Sequence, residues 1–238
     1  MVGTGRRKAK TAAELMHEMS GNREWLLRRE ADARGTKLRK AISRTEQEPV
    51  LRELRARGVS VQSLSALAKL PDAQYQQALP VLLVWVRAGG SPSLRASIAR
   101  VLATPRAGPT AAPTLISALR VEPDPVVQWS LATAIATLAD VSLLDEIEVL
   151  VQEAALGKAR ELLVVALGTV KSPRAVKLLL ALIDDPAVGG HALLALRRAG
   201  AKVPSARVEQ FTQDSRGWVR NEARRLIGRT NPVARLDR

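Results

Sequence analysis

Residues 172–196 read SPRAVKLLLALIDDPAVGGHALLAL, and residues 124–138 read DPVVQWSLATAIATL. In each, Asp-Pro stands three residues before a valine, Val188 in one and Val127 in the other. Taking those valines as anchors, apolar residues recur four, seven and eight places on: Ala192, Ala195 and Leu196, then Leu131, Ala134 and Ile135. These offsets fall along one stripe of a 3.6-residue helix. The same register is carried outward by Leu94, Ala159 and Val219, so five anchors follow one another at intervals of 33, 32, 29 and 31 residues. A unit of that length cannot enclose a core alone and has to bury its stripe against its neighbours. The pattern predicts an all-α fold, an α-solenoid of about five helical hairpins with an α-helical N-terminal section.

Each segment holds two helical stretches. The first helices are expected over Leu79–Arg87, Ala112–Arg120, Leu144–Glu153, Ala175–Ile183 and Ala206–Thr212, and the second begin at the anchors. Ser91-Pro92, Asp124-Pro125 and Asp185-Pro186 supply an oxygen acceptor and a preset first-turn φ at three second-helix starts. Leu156-Gly157 and Arg216-Gly217 stand at the other two, where that cap is missing. Upstream, a short helix is expected over Thr11–Met19 and a thinly apolar one from Arg23 to about Arg44. Another restarts at Glu48-Pro49 and ends at Gly58, a short one runs over Val61–Leu70, and Asp72 caps the next. The domain reading is a disordered basic leader over 1–10, a helical section closing one end over 11–75, the solenoid over 76–229 and a tail over 230–238.

The composition narrows the chemistry. There is no cysteine, which removes disulfides, thiolate metal sites and a Cys nucleophile, and points to a cytoplasmic setting. The two histidines, His17 and His191, are far apart, so no metal site and no cofactor is expected. No nucleophile elbow and no Gly-rich phosphate loop occurs, so no catalytic residue is assigned. No apolar run approaches the roughly 20 residues that span a bilayer, and no membrane helix is expected. The net charge is +14. Residues 1–60 hold 15 Lys/Arg against 8 Asp/Glu and residues 201–238 hold 9 against 4, while residues 141–200 hold 7 of each. Two basic ends around a neutral middle favour encounters with acidic proteins or nucleic acid.

Together the Pro, Asp-Pro, Val and Ala-rich positions of residues 76–229 resemble the short HEAT-like repeats found in bacterial proteins related to phycobilisome lyases. The resemblance implies a stacked fold and is nearly silent on activity, since such repeats serve as scaffolds, enzyme regulators and nucleic-acid binders. It also implies a role for the residue after the anchor, where the family often places an arginine that ties neighbouring repeats. Here those positions are Arg95, Gln128, Arg160, Gly189 and Arg220. Arg95, Arg160 and Arg220 are thereby expected as inter-repeat ties, with Asp124 and Asp185 as structural caps.

Two tryptophans stand outside the apolar stripe. Trp129 falls two places after its anchor and is expected to be partly exposed. Trp218 falls one place before its anchor among Arg216, Arg220, Arg224 and Arg225, a setting suited to stacking or to covering the end of the stack. These six residues are the candidate contacts for a partner. The leading expectation is a non-enzymatic scaffold or adaptor that binds a protein partner through its concave face and its basic N-terminal helix. The second is a nucleic-acid binder using the C-terminal arginines and the Arg23–Arg44 helix. HEAT-like solenoids also include DNA glycosylases for alkylated bases, but Trp129 has no acidic partner on its face once Asp124 is taken as a cap.

Overall fold

The computed structural model describes residues 11–13 and 22–230. Among them every regular element is helical and there is no strand, as an Ala- and Leu-rich chain with few aromatic residues favours. None of these helices is long and apolar enough to cross a membrane. The leader over 1–10, most of the helix expected over Thr11–Met19, and the tail beyond Thr230 lie outside the described residues. The chain divides into two compact units, residues 1–46 and 47–238.

Helix α1 runs over Arg23–Ala56. Asn22 caps it by accepting the Trp25 amide at 3.1 Å, and Arg29 lies 4.9 Å from the Trp25 ring. The restart expected at Glu48-Pro49 does not occur, because Pro49 lies within α1. Proline there forfeits the bond to the Thr45 carbonyl, but the burial of Val50, Leu51 and Leu54 just beyond it outweighs one lost hydrogen bond.

A 3₁₀ turn over Leu64–Lys69 replaces the short helix expected over Val61–Leu70. Helix α2, Asp72–Ala88, follows without a break at Pro80, and its N-cap is Pro71 rather than Asp72. Asp72 instead faces Arg106 at 2.7 Å. The boundary expected between residues 75 and 76 therefore falls inside α2.

The rest of the chain alternates in pairs: α3 is Pro92–Leu102, α4 Ala112–Val121, α5 Pro125–Leu138, α6 Leu144–Leu150, α7 Gly157–Leu167, α8 Pro173–Leu182, α9 Gly189–Arg198, α10 Ser205–Glu209 and α11 Gly217–Thr230. The first helices α2, α4, α6, α8 and α10 each pack on the second helix that follows. The second helices also pack on one another in order, α3 on α5, α5 on α7, α7 on α9 and α9 on α11. All five anchors are buried, and of the positions four, seven and eight residues on only Val101 and Ile227 keep partial exposure. Each fully buried Leu or Ile of the stripe contributes about 2 kcal/mol. Small residues let the row close up: a Cβ on Gly168, at the end of α7, would lie 2.5 Å from the Ala195 carbonyl oxygen of α9.

Ion pairs stitch successive helix pairs. On the second-helix side Arg95 donates through two nitrogens to Glu122, each at 2.9 Å. Arg160 donates to the Val151 carbonyl and, at 2.6 Å, to Asp185, and Arg197 pairs with Glu222. On the first-helix side Arg174 reaches Asp145 and Glu148 of α6, and Arg207 reaches Asp184. Arg220 departs from the expected pattern, donating to the Asp214 and Ser215 carbonyls of its own pair at 2.7 and 2.9 Å.

Candidate functional site

Two features of the second helices present large apolar or aromatic groups to solvent. The first is a cleft of about 430 Å³ where the starts of α5 and α7 meet, walled by Pro125, Val126, Trp129, Ala155, Leu156 and Lys158 among others. Its geometry follows from the local sequence. Asp124 accepts the amides of Val126 and Val127 at 2.9 and 3.1 Å, which fixes the first turn of α5 and turns Val126 and Trp129 outward from the stripe. Val126 is 62% exposed and Trp129 42%. On the opposite wall α7 begins at Gly157, whose φ of +48° suits a residue without a side chain. Gln128 is committed to the fold, donating to the Glu122 carbonyl at 2.7 Å.

The second feature is the start of α11. Trp218 is 39% exposed, and its ring lies 4.9 Å from that of His191, tilted by 47°. It closes over the start of α9, because a Cβ on Gly190 would lie 2.8 Å from Val219 Cγ2 and 3.3 Å from the Trp218 ring. Arg216 sits 5.6 Å from the Trp218 ring and is held by Asp214 through contacts of 3.0 and 2.9 Å. Asp214 also accepts the Arg216 amide at 2.8 Å, which fixes the turn leading into α11. The Arg216 side chain, followed by its amide, holds the Asp214 carboxyl down at about 2.

The His191 side chain is 19% exposed. Its Nδ1 is buried without a hydrogen-bond partner among the described residues, and its Nε2 is 3.6 Å from Glu161. Burial lowers its pKa, Glu161 opposes that shift and Arg216 adds to it.

The six candidate contact residues do not form one site. Arg216, Trp218 and Arg220 gather at the start of α11. Arg225 is occupied by Glu222 at 2.9 Å, Arg224 is exposed on the same helix, and Trp129 is on α5, with α7 and α9 intervening in the row. Of the residues expected to be structural, Arg95 and Arg160 bridge successive pairs and Asp124 caps its own helix; Asp185 does not cap as expected, because α9 starts only at Gly189 without a side-chain cap, and it receives Arg160 instead. Sequence reading passed over Val126, Leu156 and Lys158 as cleft walls. Val126 and Lys158 share with Trp218 the register position just before the anchor, and a large apolar residue there is the signal that would have found the cleft.

A larger cavity of about 660 Å³ lies beside Lys171 and Arg198, but none of the exposed large apolar side chains lines it. Among the described residues no three His, Cys, Asp or Glu side chains converge as a metal site. No protein-family model, curated protein or solved structure matches this chain.

Proposed function

We propose that this chain is a HEAT-like α-solenoid acting as a non-enzymatic adaptor, which docks a protein partner on the face formed by its second helices. The cleft beside Trp129 is the anchor point, and the basic stretch of α1 from Arg23 to Arg44 is a second contact surface. The observation that carries the reading is the cleft itself, an apolar concavity of about 430 Å³ beside Val126 and Trp129, which are 62% and 42% exposed. Leaving such groups in water forgoes stability that burial would supply, and interface energy concentrates where an aromatic side chain lines a pocket. The regular burial of the register positions and the serial packing of the second helices support the stacked architecture. Nucleic acid is the weaker reading, because Arg216, Arg220 and Arg225 already donate to protein carboxylates or carbonyls.

The test uses the full-length chain as bait in nuclease-treated lysate, wild type beside Val126→Glu. The adaptor reading expects a protein recovered stoichiometrically by the wild type and lost with the variant, whose circular dichroism and melting temperature stay unchanged. Equal recovery by both baits, or recovery of material only when the nuclease is omitted, would overturn it.

A further inference from the structure

The cavity of about 660 Å³ is walled by the end of α7, the turn leading into α8, the first turn of α8 and the end of α9. It lies at the opposite end of α7 from the Trp129 cleft and shares no lining residue with it. Gly168 brings its two sides together. A Cβ there would lie 2.5 Å from the Ala195 carbonyl oxygen and 2.7 Å from the Ala195 Cα, so the close approach of the two helix ends depends on a residue without a side chain. Three residues beyond each contact point stands a cation, Lys171 after Gly168 and Arg198 after Ala195, and both line the cavity.

At the other joints the arginines are spent on the protein itself. Arg95, Arg160, Arg174, Arg197 and Arg207 each answer a carboxylate of another helix or turn. Lys171 and Arg198 are exposed and form no ion pair among the described residues, and no Asp or Glu lines the cavity. Two like charges on one concavity, with no carboxylate between them, raise its potential and favour a dianion. Ser172 adds a donor, because its Oγ accepts the Arg174 amide at 3.2 Å and keeps its own proton free. Thr169 has already donated its proton to the Ala166 carbonyl at 2.7 Å.

The remaining walls are aliphatic, chiefly Val170, Pro173, Val176 and Ala199. No aromatic ring is there to stack a base and no carboxamide to read one, and a sugar would bring hydroxyls that these walls leave unmatched. The layout selects a doubly charged oxyanion head on a short hydrocarbon body, in a volume ordinary for small-molecule sites. We propose that this cavity, independently of the adaptor reading, binds an aliphatic phosphate monoester. The phosphoryl oxygens accept from Lys171 Nζ, the Arg198 guanidinium and Ser172 Oγ, and the hydrocarbon lies against Val170, Pro173 and Val176.

Isothermal titration calorimetry of the full-length chain in phosphate-free buffer tests this with hexyl phosphate, beside hexanol and inorganic phosphate. Hexyl phosphate should bind saturably and roughly tenfold or more tightly than either companion. Lys171→Ala and Arg198→Ala should each weaken it roughly tenfold with circular dichroism and melting temperature unchanged, while Trp129→Ala should leave it as it is. Flotation with vesicles containing phosphatidic acid separates two sources of the same group. Vesicle binding lost in Arg198→Ala assigns a lipid headgroup; vesicle binding absent, or equal in wild type and variant, while hexyl phosphate still depends on Arg198, assigns a free ester. No saturable binding of hexyl phosphate up to about 10 mM, or an affinity unchanged by both substitutions, would overturn the proposal. So would inorganic phosphate binding as tightly as the ester, since the aliphatic walls would then have no role.

Discussion

Replacing Arg160 by alanine should loosen the joint between α7 and the pair that follows it. Arg160 is 6% exposed. Its Nε donates to the Val151 carbonyl and a terminal nitrogen donates to Asp185 at 2.6 Å, so one cation joins the end of α6, the body of α7 and the turn before α9. Removing one member of a fully buried pair costs about 3–5 kcal/mol. The Asp185 side chain keeps 26% exposure, which lets water resolvate part of the abandoned carboxylate and brings the expected cost to about 2–3 kcal/mol. For an ordered chain of this length that corresponds to about 5–10 °C in melting temperature. Burial alone would raise the Asp185 carboxyl, but the hydrogen bond from Arg160 and the amide of Ala187 outweigh it and hold it below the ordinary value. The variant should therefore also move the Asp185 titration upward. Urea unfolding of Arg160→Ala, Asp185→Asn and the double variant closes the cycle, with a coupling energy of about 1 kcal/mol or more expected. A single variant within about 0.5 kcal/mol of wild type, or a coupling near zero, would refute the view that this pair fastens successive helix pairs.

Gly190→Ala should destabilise the last pair by about 1–3 kcal/mol, since the new methyl would meet Val219 Cγ2 at 2.8 Å; differential scanning calorimetry reads the loss, and no shift would mean that α11 moves aside freely. Because the Asp214 carboxyl is held at about 2 in the fold, its pairing with Arg216 contributes stability that is complete above the ordinary Asp value and disappears as pH falls from about 4 towards 2. Asp214→Asn should remove that portion of the acid transition followed by circular dichroism. His191, lowered chiefly by burial, binds protons less readily folded than unfolded, so its contribution is present above about pH 6.5 and is lost as pH falls below it. An NMR titration should place its midpoint below that of a free imidazole, with quenching of Trp218 fluorescence following protonation of the adjacent ring.

The periodic part of this fold was legible because burial repeats. Leu94, Val127, Ala159, Val188 and Val219 occupy one register in the sequence and one buried row in space. Contacts without a period were not legible. Glu122 reads as an ordinary loop carboxylate, yet it is 8% exposed and takes both arms of Arg95, 27 residues away. Asp214, five residues before its anchor, holds Arg216 rather than standing where Ser91 and Asp124 cap their helices, and Asp72 answers Arg106 instead of its own helix. Pro49 misled for a different reason: the local penalty of an interior proline is real, but tertiary burial beyond it decided the outcome. At the cleft, Trp129 was visible as an outlier from the stripe, whereas its opposite wall comes from the start of α7, and only three-dimensional packing brings the two together.

The fastenings between pairs differ in their access to water. Those of the second helices are largely sheltered, with side-chain exposures of 16% and 6% for Arg95 and Glu122, whereas Arg174 and Asp145 on the first-helix side show 55% and 79%. Electrolyte screens the outer rungs and barely touches the inner ones. Raising the ionic strength should therefore loosen the joints between first helices while those between second helices hold, so that the tightness of one set of contacts depends on the surrounding medium and that of the other on the polypeptide alone.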